Sequence, residues 1–546
     1  MAVETTGSTM AGMDRKLKWQ RTSGPFIRDC YADRLTSLPD EVLEQILSWL
    51  PTKDAAASQV LSKRMPRAFS CITKVDLDDS LISHCVKFPH LVERTSLYES
   101  FIDNVLHKLS QSQQPLTRFR LRFGGDKTTF YRSQLAWHYC KPTCFPNPEP
   151  ARLYAWISYP LTHCGLRELD LSFHVRNPSE FQFPPGLFTR QLLEVLTLDS
   201  NLEINSSTEI PPICLPNLKI LNLHSFVFND HDFVTKLVSN CPALEDLSIS
   251  YCSWEKADCL TISSQSLQRF TFLVFRDTDE AKFGDIVLIE TPNLQYFRYY
   301  DNLPMKYNIN MNALVEAYVR VRNTKELTSE AAFRNLLSLT RALSNVKYLS
   351  MFGWLTQGFY YAAKFKASLP MFRNLKTLKL GAFCDSCCSG RWDIVLLLIL
   401  YHSPLLEELV CMEGFFDFNE TCSIHKPSKF DVATLEAASW GLSQTIPSCC
   451  ESHLKRIWIY SCYGHVQELN LIKFLLGKAS VLKELVISMS MGYNGIKFNS
   501  SKLDEFKKNL EEIPRASKSC CIIYSDDQPD YNYITSAPKW LPQVAG

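Results

Sequence analysis

The 546-residue chain carries 58 Lys+Arg against 57 Asp+Glu, a formal charge of +1, and 46% of its residues are hydrophobic. That balance speaks against nucleic acid or an anionic membrane as the main partner and suits a sizeable folded core. Twenty scattered cysteines and an N-terminus without an apolar stretch point to cytoplasm and/or nucleus, while the longest strongly apolar run, residues 394–401, is far short of the about 20 a membrane helix needs.

Residues 1–28 read as a disordered tail. The next segment, 29–75, holds the first strong pattern. Ser37 is placed to cap a helix whose first turn holds Pro39, Asp40 and Glu41, acids that suit the positive end of the helix dipole. Val42, Leu43, Ile46, Leu47 and Leu50 recur at helical spacing and are expected to form one apolar face. Pro51 stops that helix, Thr52 is placed to cap a second, and Val60 and Leu61 add apolar side chains to it. A hairpin this short cannot bury a core of its own, so it needs a partner.

The punctuation of this stretch, with Leu38–Pro39, Leu50–Pro51 and VLSKR at 60–64, resembles the plant F-box, the module by which substrate receptors join Skp–cullin–F-box ubiquitin ligases. The resemblance implies docking on a Skp-type adaptor, and through it on a cullin. Leu38, Pro39, Val42, Leu43, Ile46, Leu47, Leu50, Pro51, Val60 and Leu61 would carry that contact. The family commonly has Trp after the KR; this chain has Met65, which fills the same space with less rigid surface.

From 76 to 445 one phrase returns: apolar, two others, apolar, one other, apolar. It reads LRELDL from Leu166, LEVLTL from Leu193, LKILNL from Leu218, LEDLSI from Leu244 and LQRFTF from Leu267. It continues from Leu294, Val346, Leu375 and Leu406. Early copies lie about 23–27 residues apart, inside the leucine-rich-repeat range. Each copy is expected to supply a short strand of a shared sheet, returning through a helix such as the one in which Phe233, Val234, Leu237 and Val238 share a face, with Asp230 as its cap. The phrase degrades around Leu314 to Val321, and 124–150 reads as an irregular insertion.

The portion 446–526 changes character to strand–helix–strand–helix–strand. Its SHLKRIWI at 452–459, LLGKASVLKELVI at 475–487 and PRASKSC at 514–520 resemble the FBD domain that ends many plant F-box proteins. A tail, 527–546, follows. The fold expected is α/β: a helical F-box, a leucine-rich-repeat solenoid (a curved parallel sheet with helical return limbs) and an FBD-like αβ unit.

A receptor of this kind catalyses nothing and takes no cofactor, and the sequence holds no P-loop, G-x-S-x-G or HExxH. Cys384, Cys387 and Cys388, with His402 and Cys411 further on, lack a second ligand pair for zinc, so no metal is expected. His138 with Cys140 and Cys144 is no stronger. A protein substrate is expected on the strand face. Early repeats offer Glu168, Asp170, Asp199 and Asp246 there, and the terminal unit offers Arg456, Trp458 and Tyr460. Tyr and Arg are enriched in binding hot spots, which favours the central Tyr296, Arg298, Tyr300, Tyr348 and Phe352. The alternative for these five is that they cover neighbouring strands or an inserted loop. Two other functions stay open: a non-ligase repeat scaffold with a degenerate F-box, and a small-molecule sensor using Arg269, Arg298 and Arg456.

Overall fold

In the computed structural model of the chain, Pro39 stands at the entry of the first helix, α1 (Asp40–Trp49), with Asp40 and Glu41 in its first turn. The residue directly before α1 is Pro39, whose side chain makes no capping hydrogen bond, and Ser37 stands two residues further back. Helix α2 (Thr52–Ala57) begins directly after Pro51, making Thr52 its buried first residue rather than its cap. A 3-10 turn (Ser58–Val60) then leads to α3 (Met65–Ser70), a helix not anticipated from sequence. Its Pro66 lies in the first turn, where a missing N–H costs nothing. Helix α1 packs on both α2 and α3. Leu43, Leu47, Ala55, Met65, Ala68, Phe69 and Ile72 are buried. The expected hairpin is therefore a three-helix unit with buried apolar side chains, and the boundary between the two compact units falls after Ile72.

The structure describes residues 35, 37–78, 89–112, 114–123, 148–175, 177–178, 181–204, 212–229, 232–254, 259–274, 286–302, 306–322, 330–353, 355, 359, 368–381, 392–412, 446–462, 466–489 and 500–527. The expectations for the two tails, for the insertion up to 147 and for the cap at Asp230 lie outside them, apart from Asp527.

The second unit begins at Thr73. Its strands are, in chain order, β1 (Lys74–Asp78), β2 (Arg118–Arg122), β3 (Glu168–Ser172), β4 (Val195–Asp199), β5 (Glu203–Ile204), β6 (Ile220–His224) and β7 (Val227–Phe228). There follow β8 (Asp246–Ser250), β9 (Ser253–Trp254), β10 (Cys259–Ser263), β11 (Arg269–Leu273), β12 (Ile286–Glu290), β13 (Tyr296–Asn302) and β14 (Lys306–Asn310). The last are β15 (Glu316–Arg322), β16 (Tyr348–Gly353), β17 (Thr377–Leu380), β18 (Glu408–Cys411), β19 (Arg456–Cys462), β20 (Glu484–Met489) and β21 (Cys521–Ser525). Among the described residues fifteen of these form one parallel sheet in strict chain order, leaving out β5, β7, β9, β10, β12 and β14.

The repeated phrase explains the sheet. Side chains alternate along a strand, so the fourth and sixth residues of the phrase share a face. In β3, Leu169 and Leu171 are buried while Glu168, Asp170 and Ser172 stay half-exposed. Parallel register stacks equivalent positions, with Leu169 beside Leu196, Leu196 beside Leu221 and Leu221 beside Leu247. Most strands are entered through one kind of turn. The amide of the first residue of the phrase donates to the carbonyl three residues back, as in Leu218 to Leu215, Leu294 to Thr291 and Leu406 to Ser403. In three repeats the preceding asparagine, Asn217, Asn293 or Asn374, donates its side-chain amide to a carbonyl of the previous repeat.

The stretch from Leu314, expected to be degenerate, is a full repeat: Ala317 and Val319 take the leucine positions, and β15 pairs in register with β13 and β16. Two further copies precede the first recognised one, with Val75 and Leu77 at β1 and Leu116, Phe119 and Leu121 at β2, all buried. Strands β19 to β21 continue the same sheet without a break in pairing.

Return limbs are helical at α4 (Pro89–Ser110), α5 (Pro150–Leu161), α6 (Asp232–Ser239), α7 (Glu330–Ala342), α8 (Trp392–His402), α9 (Ser448–Ser452), α10 (Val466–Lys478) and α11 (Ser500–Glu511). Phe233, Val234, Leu237 and Val238 are buried on α6 as expected. In three consecutive repeats the limb is a strand instead, and β10, β12 and β14 make a second parallel sheet. Their alternating sequences, CLTIS, IVLIE and KYNIN, suit a half-buried strand rather than a helix. Where a main strand turns toward its return limb, Ser225, Tyr251, Gly353 and Ser461 adopt positive φ, each one residue past the last outward side chain.

Candidate functional site

At about 100° per residue, Val42, Ile46 and Trp49 fall on one stripe of α1, and Leu43, Leu47 and Leu50 on the neighbouring one. Leu43 and Leu47 are buried, whereas Val42 and Trp49 are exposed and Ile46 half-buried. The outward set continues beyond α1. Val60 is 88% exposed, Trp49 68% and Leu61 59%, with Leu35 and Leu50 also exposed. Pro39 and Pro51 are exposed and Leu38 is half-buried. The sequence-derived adaptor set thus divides: Leu43 and Leu47 are buried in the free chain, and the others keep surface available. Trp49 and Leu35 were missed, although Trp49 follows Val42 by seven residues, the helical signal for a shared stripe.

Met65, the residue that departs from the resembled pattern, is buried in the chain. Arg64 fixes the other end of the motif. Its guanidinium bonds the Asp40 carboxylate at the start of α1 and donates to the Leu38 carbonyl at 2.9 Å.

On the sheet face away from the leucine columns, the central residues favoured from sequence do not form an accessible patch. Tyr296, Arg298, Tyr300 and Phe352 are all buried, and Tyr348 alone of the five is exposed. They cover neighbouring strands. Arg269 lies over the Tyr296 ring at 5.3 Å, Arg298 over Tyr318 at 5.4 Å and Arg320 over Tyr300 at 5.3 Å. Tyr318 stacks on Phe352 with centroids 5.0 Å apart, in a buried cluster with Val410 and Met412. Burial raises the Tyr296 hydroxyl's pKa, so it stays protonated at neutral pH. Arginine cations beside aromatic faces explain why this band tolerates charge inside it.

The first repeats of this face are polar and bonded to themselves. Arg120 on β2 reaches Asp76 and Asp78 on β1 and Asp170 on β3, while Arg118 pairs with Glu168 and Arg122 with Asp170. Ser172 donates to Asp199, and Asn222 to Thr197. Arg269 pairs with Asp246 and Arg456 with Glu408. The three arginines considered for an anionic ligand therefore stand on separate strands, β11, β13 and β19, each engaged by its own neighbours.

The cysteine triplet at 384–388 lies outside the described residues. Of its possible companions, His402 shares a 2.8 Å hydrogen bond between Nδ1 and the Leu398 carbonyl, and Cys411 is buried, which pushes its thiol pKa far upward.

The chain matches the family described as F-box domain over residues 35–70, FBD over 443–487, and "FBD-associated F-box protein At5g56370, LRR repeats" over 153–329. It is 30% identical over 411 residues to F-box/LRR-repeat protein At4g14103 of Arabidopsis thaliana, covering 73% of this chain and 97% of the relative. To F-box/LRR-repeat protein At3g59200 of the same plant it is 27% identical, covering 90% and 88%. To F-box/FBD/LRR-repeat protein At1g78750 it is 26% identical, covering 90% and 96%.

Proposed function

The chain belongs to the plant family of F-box/LRR-repeat proteins with an FBD end, and from that membership we propose that it is the substrate-recognition subunit of a Skp–cullin–F-box ubiquitin ligase. Proteins of this family are generally non-catalytic adaptors, so its contribution to ubiquitination is proximity and orientation of a target protein. One observation supports the reading above others: the three-helix unit turns Val42, Trp49, Leu50, Val60 and Leu61 outward while other apolar side chains are buried. Burying a large apolar side chain contributes about 1.5–3 kcal/mol, so five give on the order of 8–15, against association costs of roughly 4–15. The margin is small enough that loss of two anchors removes binding. A cytoplasmic or nuclear setting is part of the proposal, and most described cysteines are buried free thiols, as suits a reducing compartment.

The test is co-precipitation of a Skp-type adaptor with the full chain carrying Trp49→Ala and Val60→Ala. Binding is expected to be lost while thermal unfolding of the chain is unchanged. Retained binding by the double variant would falsify the assignment of this surface. The scaffold alternative takes its weight from Met65, which is buried, and the same co-precipitation separates it from the receptor reading.

A further inference from the structure

Resting on the receptor reading, we propose that the sheet face at Trp458 and Tyr460 docks an extended segment of the target protein, one that sets a bulky apolar side chain beside a lysine or arginine. Among the described residues, the early strands and β13 offer a partner little on this face. On the early strands the polar groups already bond one another, so a newcomer exchanges hydrogen bonds for small net gain. On β13 the outward side chains are buried.

Strand β19 differs. The Trp458 and Tyr460 rings stack with centroids 6.0 Å apart and planes at 18°, and both pack against the buried cluster of Tyr318, Phe352, Val410 and Met412. Parallel register sets Val410 beside Trp458, Trp458 beside Val486 and Val486 beside Ile523, which is 43% exposed. An apolar row thus crosses four strands, about 14 Å at the spacing of a sheet, in which Val410 and Val486 are the buried floor and the half-buried Trp458 and exposed Ile523 are what a partner meets. The Trp458 indole N–H and the Tyr460 hydroxyl have no hydrogen-bond partner among the described residues. Aromatic rings held by packing, with their polar tips unengaged, are pre-organised anchors: little rotamer freedom remains to be lost on binding.

The charge at this end selects the partner. Asp527 and Glu408 both act on the Tyr460 hydroxyl, adding to the upward push of burial on its pKa. Asp527 is fixed there, its carbonyl accepting from Ser488 Oγ at 2.7 Å and its carboxylate from Ser525 Oγ at 2.8 Å. Glu408 accepts from Thr377 Oγ1 at 3.3 Å and pairs with Arg456 at 3.6 Å, and it remains partly exposed. A cation on the incoming segment completes this acidic rim, and an acidic segment is repelled.

The test is selection from a random-peptide phage library on the full-length chain, followed by anisotropy titration of the selected peptides. The wild-type chain is expected to enrich peptides that join Leu, Phe or Trp to a nearby Lys or Arg. Trp458→Ser weakens them by roughly tenfold or more, the scale of a hot-spot loss. Glu408→Lys with Asp527→Lys, which leaves both rings in place, weakens the same peptides and turns selection toward acidic flanks. No enrichment, enrichment without a basic residue, or affinity indifferent to both variants overturns the proposal. So does a concentration-dependent dimer that Trp458→Ser abolishes, since a second copy would then be the occupant. Adaptor co-precipitation on the same preparations separates the two readings. Peptide selection without adaptor binding leaves this surface standing and removes the receptor role, and the reverse result removes this surface alone.

Discussion

Glu407 accepts hydrogen bonds from Lys376 at 3.1 Å and Lys455 at 2.9 Å, and these two ammonium groups pull its carboxyl pKa from 4.5 down to about 2. The folded value is the lower one, so the contribution to stability is whole above the ordinary carboxylate range and lost as pH falls through about 2. All three side chains are partly solvated, which holds each pair to about 0.2–1 kcal/mol. Replacing both lysines by methionine is expected to lower the urea midpoint at neutral pH and leave it nearly unchanged at about pH 2, a contrast read from denaturation curves at the two pH values. At the N-terminal unit the same scale separates two leucine-like positions on one helix. Leu47→Ala, at a buried site, should cost about 2–5 kcal/mol in unfolding experiments. Trp49→Ala, at an exposed site, should leave stability within about 0.5 kcal/mol and act on adaptor binding instead.

At the scale of elements, the register of neighbouring strands decides which residues are tolerated. A Cβ on Gly381, just past β17, would lie 1.9 Å from Cδ1 of Phe352 and 2.3 Å from its Cε1. The glycine lets the Phe352 ring lie across the strand end and onto Tyr318. Gly381→Ala should therefore expel the ring at a cost of about 1–3 kcal/mol, and should cost markedly less when Phe352 is already alanine. Equal costs in both backgrounds, measured in a double-mutant cycle, would contradict this packing. The strands themselves were largely legible, because a leucine at every second position declares a buried face. Where Ala317 and Val319 replaced leucine the phrase looked broken, although smaller apolar side chains fill the same columns in register. The asparagine ties at Asn217, Asn293 and Asn374 went unread because their carbonyl partners lie a whole repeat away in the chain.

For the whole second unit, the consequence of one ladder of strands is that its ends are not independent. Strands β19 to β21 read from sequence as a separate terminal domain, yet they extend the sheet begun at β1. In a stacked array each unit buries its apolar face on its neighbours. Residues 446–527 expressed alone should consequently lack a cooperative thermal transition by circular dichroism. A chain ending before 446 should aggregate, since β18 would present an uncovered apolar edge. A sharp transition in the isolated fragment would show that the terminal unit folds by itself.

The sequence by itself determined the first two helices of the N-terminal unit, the stacked repeats and their strand phase, because helical spacing and two-residue alternation are local patterns that each segment carries alone. It also determined the family, through short motifs in a fixed order. Only the tertiary structure decided which apolar residues remain available. Burial depends on what neighbouring elements place against a side chain: Leu43 and Leu47 went inside beside an outward Trp49, and Tyr296 to Tyr300 were covered while Trp458 and Tyr460 kept their polar tips unengaged among the described residues. Residue type marks a good anchor, but its freedom to bind is a property of the packed sheet.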